Sequence, residues 1–204
     1  MAGMLRYGEA QRATWPSNAA KSIFASERSG RSFLDPHDAT SVVEWYTPPE
    51  IFDSLETEFD LIVASPGRQF VPWVPARRHL TRVEDGLVAD WAGFIWMNPP
   101  YGLQHGVADW ITKFVRHRDG LALLPDFTSA AWWQDAAGSA DAIMFVCPKI
   151  SFLPKRADGR SNSLGSTLVA IGERGVAALR NAERNGRGIM FERTAALRAR
   201  SIAA

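Results

Sequence analysis

The 204-residue chain holds a single cysteine, Cys147, which excludes an intrachain disulfide and any cysteine-based zinc cluster. No apolar run approaches the roughly 18 residues that a membrane-spanning helix requires. The opening residues, MAGMLRYGEAQR, are polar where a secretory signal has an apolar core. These absences point to a reducing, cytoplasmic compartment and to no membrane partner. An excess of one charge is missing too: 23 Lys and Arg stand against 22 Asp and Glu. That balance excludes a generally polybasic nucleic-acid binder but leaves room for a local basic patch. None of the four histidines has a partner at ligand spacing, so no metal site is expected. The chain is not short of aromatics or prolines, with eight Trp and twelve Pro. Its length suits one domain with a sizeable core, burying about 70% of the extended-chain surface.

Residues 1–40 carry scattered Ser, Gly, Arg and Asp with little periodicity and read as a flexible or loosely docked arm. The folded domain is expected over 41–204. Thr47-Pro48-Pro49-Glu50 reads as a helix start, with Thr47 as the N-cap and Glu50 closing a capping box. Ile51, Phe52 and Leu55 follow as its apolar face. Short apolar runs then recur at Phe59–Ala64, Gly93–Met97, Leu121–Leu124 and Ala142–Cys147, each the length of a strand buried on both faces. Amphipathic stretches at Val107–His117 and Thr128–Ala137, the second with Thr128 as its cap, separate the later runs. A last strand is expected at Thr167–Ile171 and a helix at about Val176–Arg184, before a tail in which residues 173–204 hold seven Arg and three Glu. This alternation predicts an α/β fold with a mixed, mostly parallel sheet flanked by helices.

The chemistry is carried by Phe94-Ile95-Trp96-Met97-Asn98-Pro99-Pro100-Tyr101-Gly102. A strand that runs into Asn98-Pro99-Pro100-Tyr101 puts the tetrapeptide at the carboxyl edge of the sheet, where α/β proteins bind ligands. Each residue before a proline is pushed to an extended conformation, and neither proline has an N–H. The turn therefore presents acceptors: the Asn98 side-chain oxygen and the Pro99 carbonyl, with the flat Tyr101 ring beside them. That is a receptor for a planar group bearing an amine, such as adenine. Two acceptors that take the hydrogens of the delocalised N6 amine favour a pyramidal nitrogen, whose lone pair can meet a sulfonium methyl donor. Alignment and charge placement then suffice, without a strong general base.

With these residues in place the chain resembles the phage-type DNA N6-adenine methyltransferases of the Dam group, from about Trp45 to Gly172. The resemblance rests on ordered blocks: Trp45–Phe52, Phe59-Asp60-Leu61 with Val63–Pro66, Asp85-Gly86-Leu87, Trp91–Gly102, and Leu123-Leu124-Pro125 with Trp132-Trp133. It implies a Rossmann-like class I methyltransferase domain using S-adenosylmethionine, with S-adenosylhomocysteine as product. By the same resemblance Trp45, Tyr46, Thr47 and Pro48 contact the methionine end of the donor, Ala64-Ser65 form the turn after the first strand, and Asp85 with Leu87 address the donor's adenine. Asn98, Pro99, Pro100 and Tyr101 would form the catalytic turn.

Two departures from that family stand out. The glycine-rich loop of larger methyltransferases is replaced by Ala64-Ser65-Pro66-Gly67, and Ile62 occupies the position where the family tends to carry an aspartate. Asp60, on the same face of the strand, or Asp85 is then left to support the donor.

DNA, as the partner, is expected to meet basic residues on loops: Arg77 and Arg78 on one side, Lys149, Lys155, Arg156 and Arg160 on the other. A monomer or a homodimer is expected. Three readings compete: a DNA adenine-N6 methyltransferase, an enzyme of the same chemistry acting on RNA adenine or protein glutamine, and a non-catalytic DNA-binding remnant.

Overall fold

A computed structural model describes residues 45–100, 106–153 and 164–194, which fall within the compact unit 44–204. The expected arm at 1–40 lies outside the described residues. The chain forms α1 (Pro49–Leu55), β1 (Phe59–Ile62), β2 (Ala76–His79), β3 (Ile95–Met97), α2 (Val107–His117), β4 (Gly120–Pro125), α3 (Ala131–Ser139), β5 (Ala142–Val146), β6 (Ser166–Ile171), α4 (Glu173–Arg184) and β7 (Gly188–Glu192). The seven strands make one sheet in the order β2-β1-β3-β4-β6-β5-β7. β2, β1, β3 and β4 pair in parallel, while β6 runs antiparallel to both β4 and β5, and β7 antiparallel to β5. This is the mixed α/β sheet with a mostly parallel core that the sequence predicts.

Alternation along the strands sends successive side chains to opposite faces. Ile62, Phe94, Trp96, Leu121 and Leu123 join Phe52 and Leu55 of α1 and Val176 and Leu179 of α4 on one face. Leu61, Val63, Ile95, Met97 and Leu124 meet Trp110, Ile111 and Phe114 of α2 on the other. Both faces are covered, which is why these strands read as largely apolar runs. The tryptophans are partly explained here: Trp96 packs with its ring centroid 4.9 Å from that of Phe52 and 5.5 Å from that of Phe59.

Several local expectations are corrected. Thr47 is not the cap of α1. Pro48 is, at φ −73° and ψ 156° with no side-chain cap bond, because Pro49 forces the residue before it into an extended conformation. Thr128 does not cap α3, which begins after an extended Ala130. Arg77, Arg78 and His79 lie in strand β2 rather than on a loop, and residues 188–192 of the basic tail form the edge strand β7.

The strand order sets the place of a ligand site. From β1 the chain moves outward to β2 on one side and then returns to place β3 on the other. Such a reversal opens a crevice beyond the carboxyl ends of the two central strands. Ala64-Ser65 and Asn98-Pro99 are the residues that leave those ends. Among the described residues no helix is long and apolar enough to cross a membrane.

Candidate active site

Asn98 leaves the buried strand β3 half-buried, followed by buried Pro99 and exposed Pro100. Its Nδ2 approaches the Trp45 carbonyl oxygen at 3.5 Å and Thr47 Oγ1 at 3.4 Å. A carbonyl oxygen can only accept, so the NH₂ end of the amide is the end that faces Trp45. Oδ1 is thereby turned the other way. The 45–47 segment that sets this orientation is itself held. Tyr46 exchanges backbone hydrogen bonds with Leu153 (2.7 and 2.9 Å), and Trp73 Nε1 donates to the Thr47 carbonyl at 3.0 Å. Thr47, the residue the sequence suggested as a cap, instead sits buried beside Asn98. Tyr101 lies outside the described residues.

At the carboxyl end of β1 the Ala64–Gly67 turn is closed by Ser65. Its amide donates to the Leu80 carbonyl at 2.9 Å, its Oγ accepts from the Gly67 amide at 3.0 Å, and Oγ lies 2.9 Å from His79 Nδ1. Burial, and after it the charge of Arg68, hold the His79 pKa below its ordinary value, which favours the neutral ring. Its Nε2 is buried without a partner among the described residues. In the sequence His79 stood in a run of basic residues, and nothing there marked it. Only the pairing of Ile62 with His79 across β1 and β2 brings it to Ser65.

Asp85 adopts a left-handed conformation at φ 50° and turns its Oδ1 to the Leu87 amide at 3.0 Å. Its carbonyl accepts from Val88 and Ala89 (2.9 and 2.8 Å). Gly86 packs so closely on the end of β1 that a Cβ there would lie 1.9 Å from the Val63 carbonyl oxygen. This loop is clamped from α2: Lys113 Nζ donates to the carbonyls of Gly86, Leu87 and Ala89 at 3.0, 2.9 and 2.6 Å and lies 4.9 Å from the centre of the Trp91 ring. Burial lowers the Lys113 pKa, opposed by Asp90 and Asp85. Sequence reasoning missed Lys113, which reads as one polar position on an amphipathic helix.

The carboxyl edge thus brings together Trp45, Tyr46, Thr47, Pro48, Asn98 and Pro99, with Ala64-Ser65 and the Asp85–Leu87 loop at the end of β1. Asp60 does not join them. It lies near the amino end of β1, where Oδ2 accepts from the Phe94 amide (2.8 Å) and from Arg174 Nη1 (2.9 Å), and Oδ1 is 3.6 Å from Arg77 Nη1. The Phe94 amide first, then Arg174, hold its carboxyl below the usual carboxylate range. Arg77 and Arg78 are exposed on edge strand β2, and Arg77 is turned to Asp60. Lys149 is exposed on the loop that leaves β5 at the carboxyl edge. Lys155, Arg156 and Arg160 lie outside the described residues. Two surface clefts, of about 290 and 390 Å³, are lined by Glu58 and by residues of the 72–77 segment. They sit toward the amino edge and share no residue with the Asn98 turn.

The family model for DNA N-6-adenine-methyltransferase (Dam) matches residues 38–180, a span that takes in every element from α1 to β6 and the whole carboxyl edge around Asn98. No curated protein and no solved structure matches the chain. With well over half of its length covered, the chain belongs to the Dam family of DNA N6-adenine methyltransferases.

Proposed function

We propose that the protein transfers a methyl group from S-adenosylmethionine to N6 of an adenine turned out of DNA and held at the Asn98-Pro99-Pro100-Tyr101 turn. The observation that carries this reading is the orientation of Asn98: Trp45 O takes the NH₂ end of the amide, leaving Oδ1 as the acceptor for a substrate amine. The Pro99 carbonyl is the second acceptor. With one N6 hydrogen on each, the nitrogen lone pair is drawn out of conjugation with the ring. The turn then works by alignment rather than by removing a proton beforehand.

The residues at the carboxyl edge fit the methyl donor. The crevice at the strand-order reversal is a nucleotide-type site. The Asp85 carboxylate offers acceptor capacity for an adenine amine or ribose hydroxyls, and the clamped Gly86–Ala89 backbone gives that loop a fixed shape. Trp45–Pro48 and Ala64-Ser65 would hold the remainder. When bound, S-adenosylmethionine supplies a methyl group already activated on a sulfonium, and S-adenosylhomocysteine is what remains. The protein's own residues bind, orient and keep the amine facing that methyl, and the nitrogen releases one of its hydrogens as a proton to solvent once the N–C bond has formed. Extruding the adenine costs a few kcal/mol, and stacking on Tyr101 returns about 1–3 kcal/mol.

Incubating the protein with methyl-labelled donor and, separately, with DNA, RNA and protein tests the reading. Label in DNA, recovered as N6-methyladenine, supports it. Label in RNA or in protein glutamine instead of DNA overturns the substrate, and donor that fails to bind at all overturns the reaction.

A further inference from the structure

The carbonyls of Gly86, Leu87 and Ala89 converge on one point, the Nζ of Lys113, at 3.0, 2.9 and 2.6 Å. Carbonyl dipoles with their negative ends together repel one another, so the arrangement calls for a cation at its centre. Three acceptors also require three N–H groups, which only the charged form of lysine has. Each of the three is committed to one carbonyl, and none is left for a DNA phosphate or for proton transfer. The Trp91 ring lies 4.9 Å from the ammonium by its centre. That ring is fixed in turn, its Nε1 donating to the Gly86 carbonyl at 2.7 Å. Lys113 is half-buried on α2, one turn after Trp110, whose ring lies against Gly86. The loop has need of such a clamp. Asp85 opens it at φ 50°, a conformation that a residue with a Cβ keeps only where its surroundings enforce it. The bonds from Leu87, Val88 and Ala89 back to Asp85 are local, whereas Lys113 ties the same backbone to α2.

From this geometry we propose that Lys113 is a positioning residue for the methyl donor. Its ammonium is the cation around which the 86–89 backbone takes the shape that receives S-adenosylmethionine. Donor affinity depends on it although none of its N–H groups is free to reach the donor. The inference rests on the proposed function in setting the donor against this loop. It adds a link between the two halves of the site, because α2 is the helix that follows the Asn98 turn in the chain. It also makes the residue type specific. Arginine at this position would keep the charge, but its planar fork cannot set three donors on three carbonyls that surround a point.

The test is isothermal titration calorimetry of S-adenosylmethionine into wild type, Lys113→Met, Lys113→Arg and Lys113→Ala. Methionine keeps an unbranched, helix-favouring stem and removes the charge. Lys113→Met is expected to weaken donor binding by roughly 10- to 150-fold, the equivalent of one hydrogen bond to a charged group, and Lys113→Arg to recover little of the loss. Lys113→Ala removes the atoms of a propylamine. Added n-propylammonium chloride should restore much of its donor affinity, while tetramethylammonium chloride at the same ionic strength, a cation without N–H groups, should restore none. A role in helix packing alone would leave both salts without effect. Donor binding by Lys113→Met within twofold of wild type overturns the inference. So does Lys113→Arg that binds as wild type does, and so does an alanine variant on which the two salts act equally. Wild-type protein that binds no donor overturns the proposed reaction and the inference with it. The wild-type titration therefore tells the two failures apart.

Discussion

Replacing Gly86 by alanine puts a Cβ 1.9 Å from the Val63 carbonyl oxygen and 2.8 Å from Trp110 Cη2. Carbon and carbonyl oxygen come no closer than about 3.3 Å in ordinary packing, so something must move by about 1.4 Å. Neither neighbour can yield easily. The oxygen is backbone at the end of β1, where the Val63 amide is bonded to the Trp96 carbonyl at 3.1 Å, and Trp110 is 5% exposed in the core. The displacement therefore falls on the Asp85–Ala89 loop and strains the three Lys113 bonds that clamp it. Overpacking of this kind costs about 1–3 kcal/mol, which for a chain of this size lowers the melting temperature by roughly 2–12 °C. If the loop shapes the donor site, a shift of about 1 Å should also weaken turnover by about 100-fold. Differential scanning calorimetry and titration with S-adenosylmethionine read the two effects separately. Unchanged melting would refute the close approach of Gly86 to β1. Lowered melting with full donor affinity and turnover would refute the placing of the donor against this loop.

Other perturbations test neighbouring parts of the same account. Asn98→Ala removes one of two amine acceptors and is expected to cut methyl transfer by about 100- to 1,000-fold while melting and donor binding stay near wild type; activity within tenfold of wild type excludes the role. Asn98→Asp keeps an acceptor but sets a carboxylate oxygen against Trp45 O, so its activity should fall between the two. Ile62 is 3% exposed beneath the α1 and α4 face, and Ile62→Asp should lower melting without tightening donor binding, because a buried carboxylate costs several kcal/mol or stays protonated. Tighter binding at unchanged melting would restore the missing family acid as a defect. For Asp60 the folded-state pKa is depressed below 3.8, so its contribution is complete above that value and is lost as the pH falls through the lower folded value. Melting curves of Asp60→Asn should therefore lack part of the acid-side decline of wild type, and identical acid limbs would show that the Arg174 and Phe94 contacts contribute nothing.

The sequence by itself determined the elements whose physics is local. β1, β3, β4 and β6 are covered on both faces, so most of their positions are apolar and the strands appear as short apolar runs, with Asp60 in β1 and Ser166 and Thr167 in β6 as the polar exceptions. Asn98 before two prolines was legible as the residue that leaves the carboxyl end of one of these strands. The helices α2 and α4 are legible because a one-sided apolar stripe at helical spacing has few other uses. Edge strands were not legible. β2 carries Arg77 and Arg78 at its centre and β7 carries Glu192, since an edge strand exposes much of its surface and keeps no apolar signature. The cap expected at Thr47 failed because the proline after Pro48 moved the helix start along by one residue, and this left Thr47 to the site. Tertiary structure alone decided which way Asn98 faces, since Trp45 is 53 residues away in the chain. It alone joined His79 to Ser65 across two strands, and it set Lys113 over the Asp85 loop. Those pairings depend on strand register and on how α2 crosses the sheet, and neither is written in any local stretch of sequence.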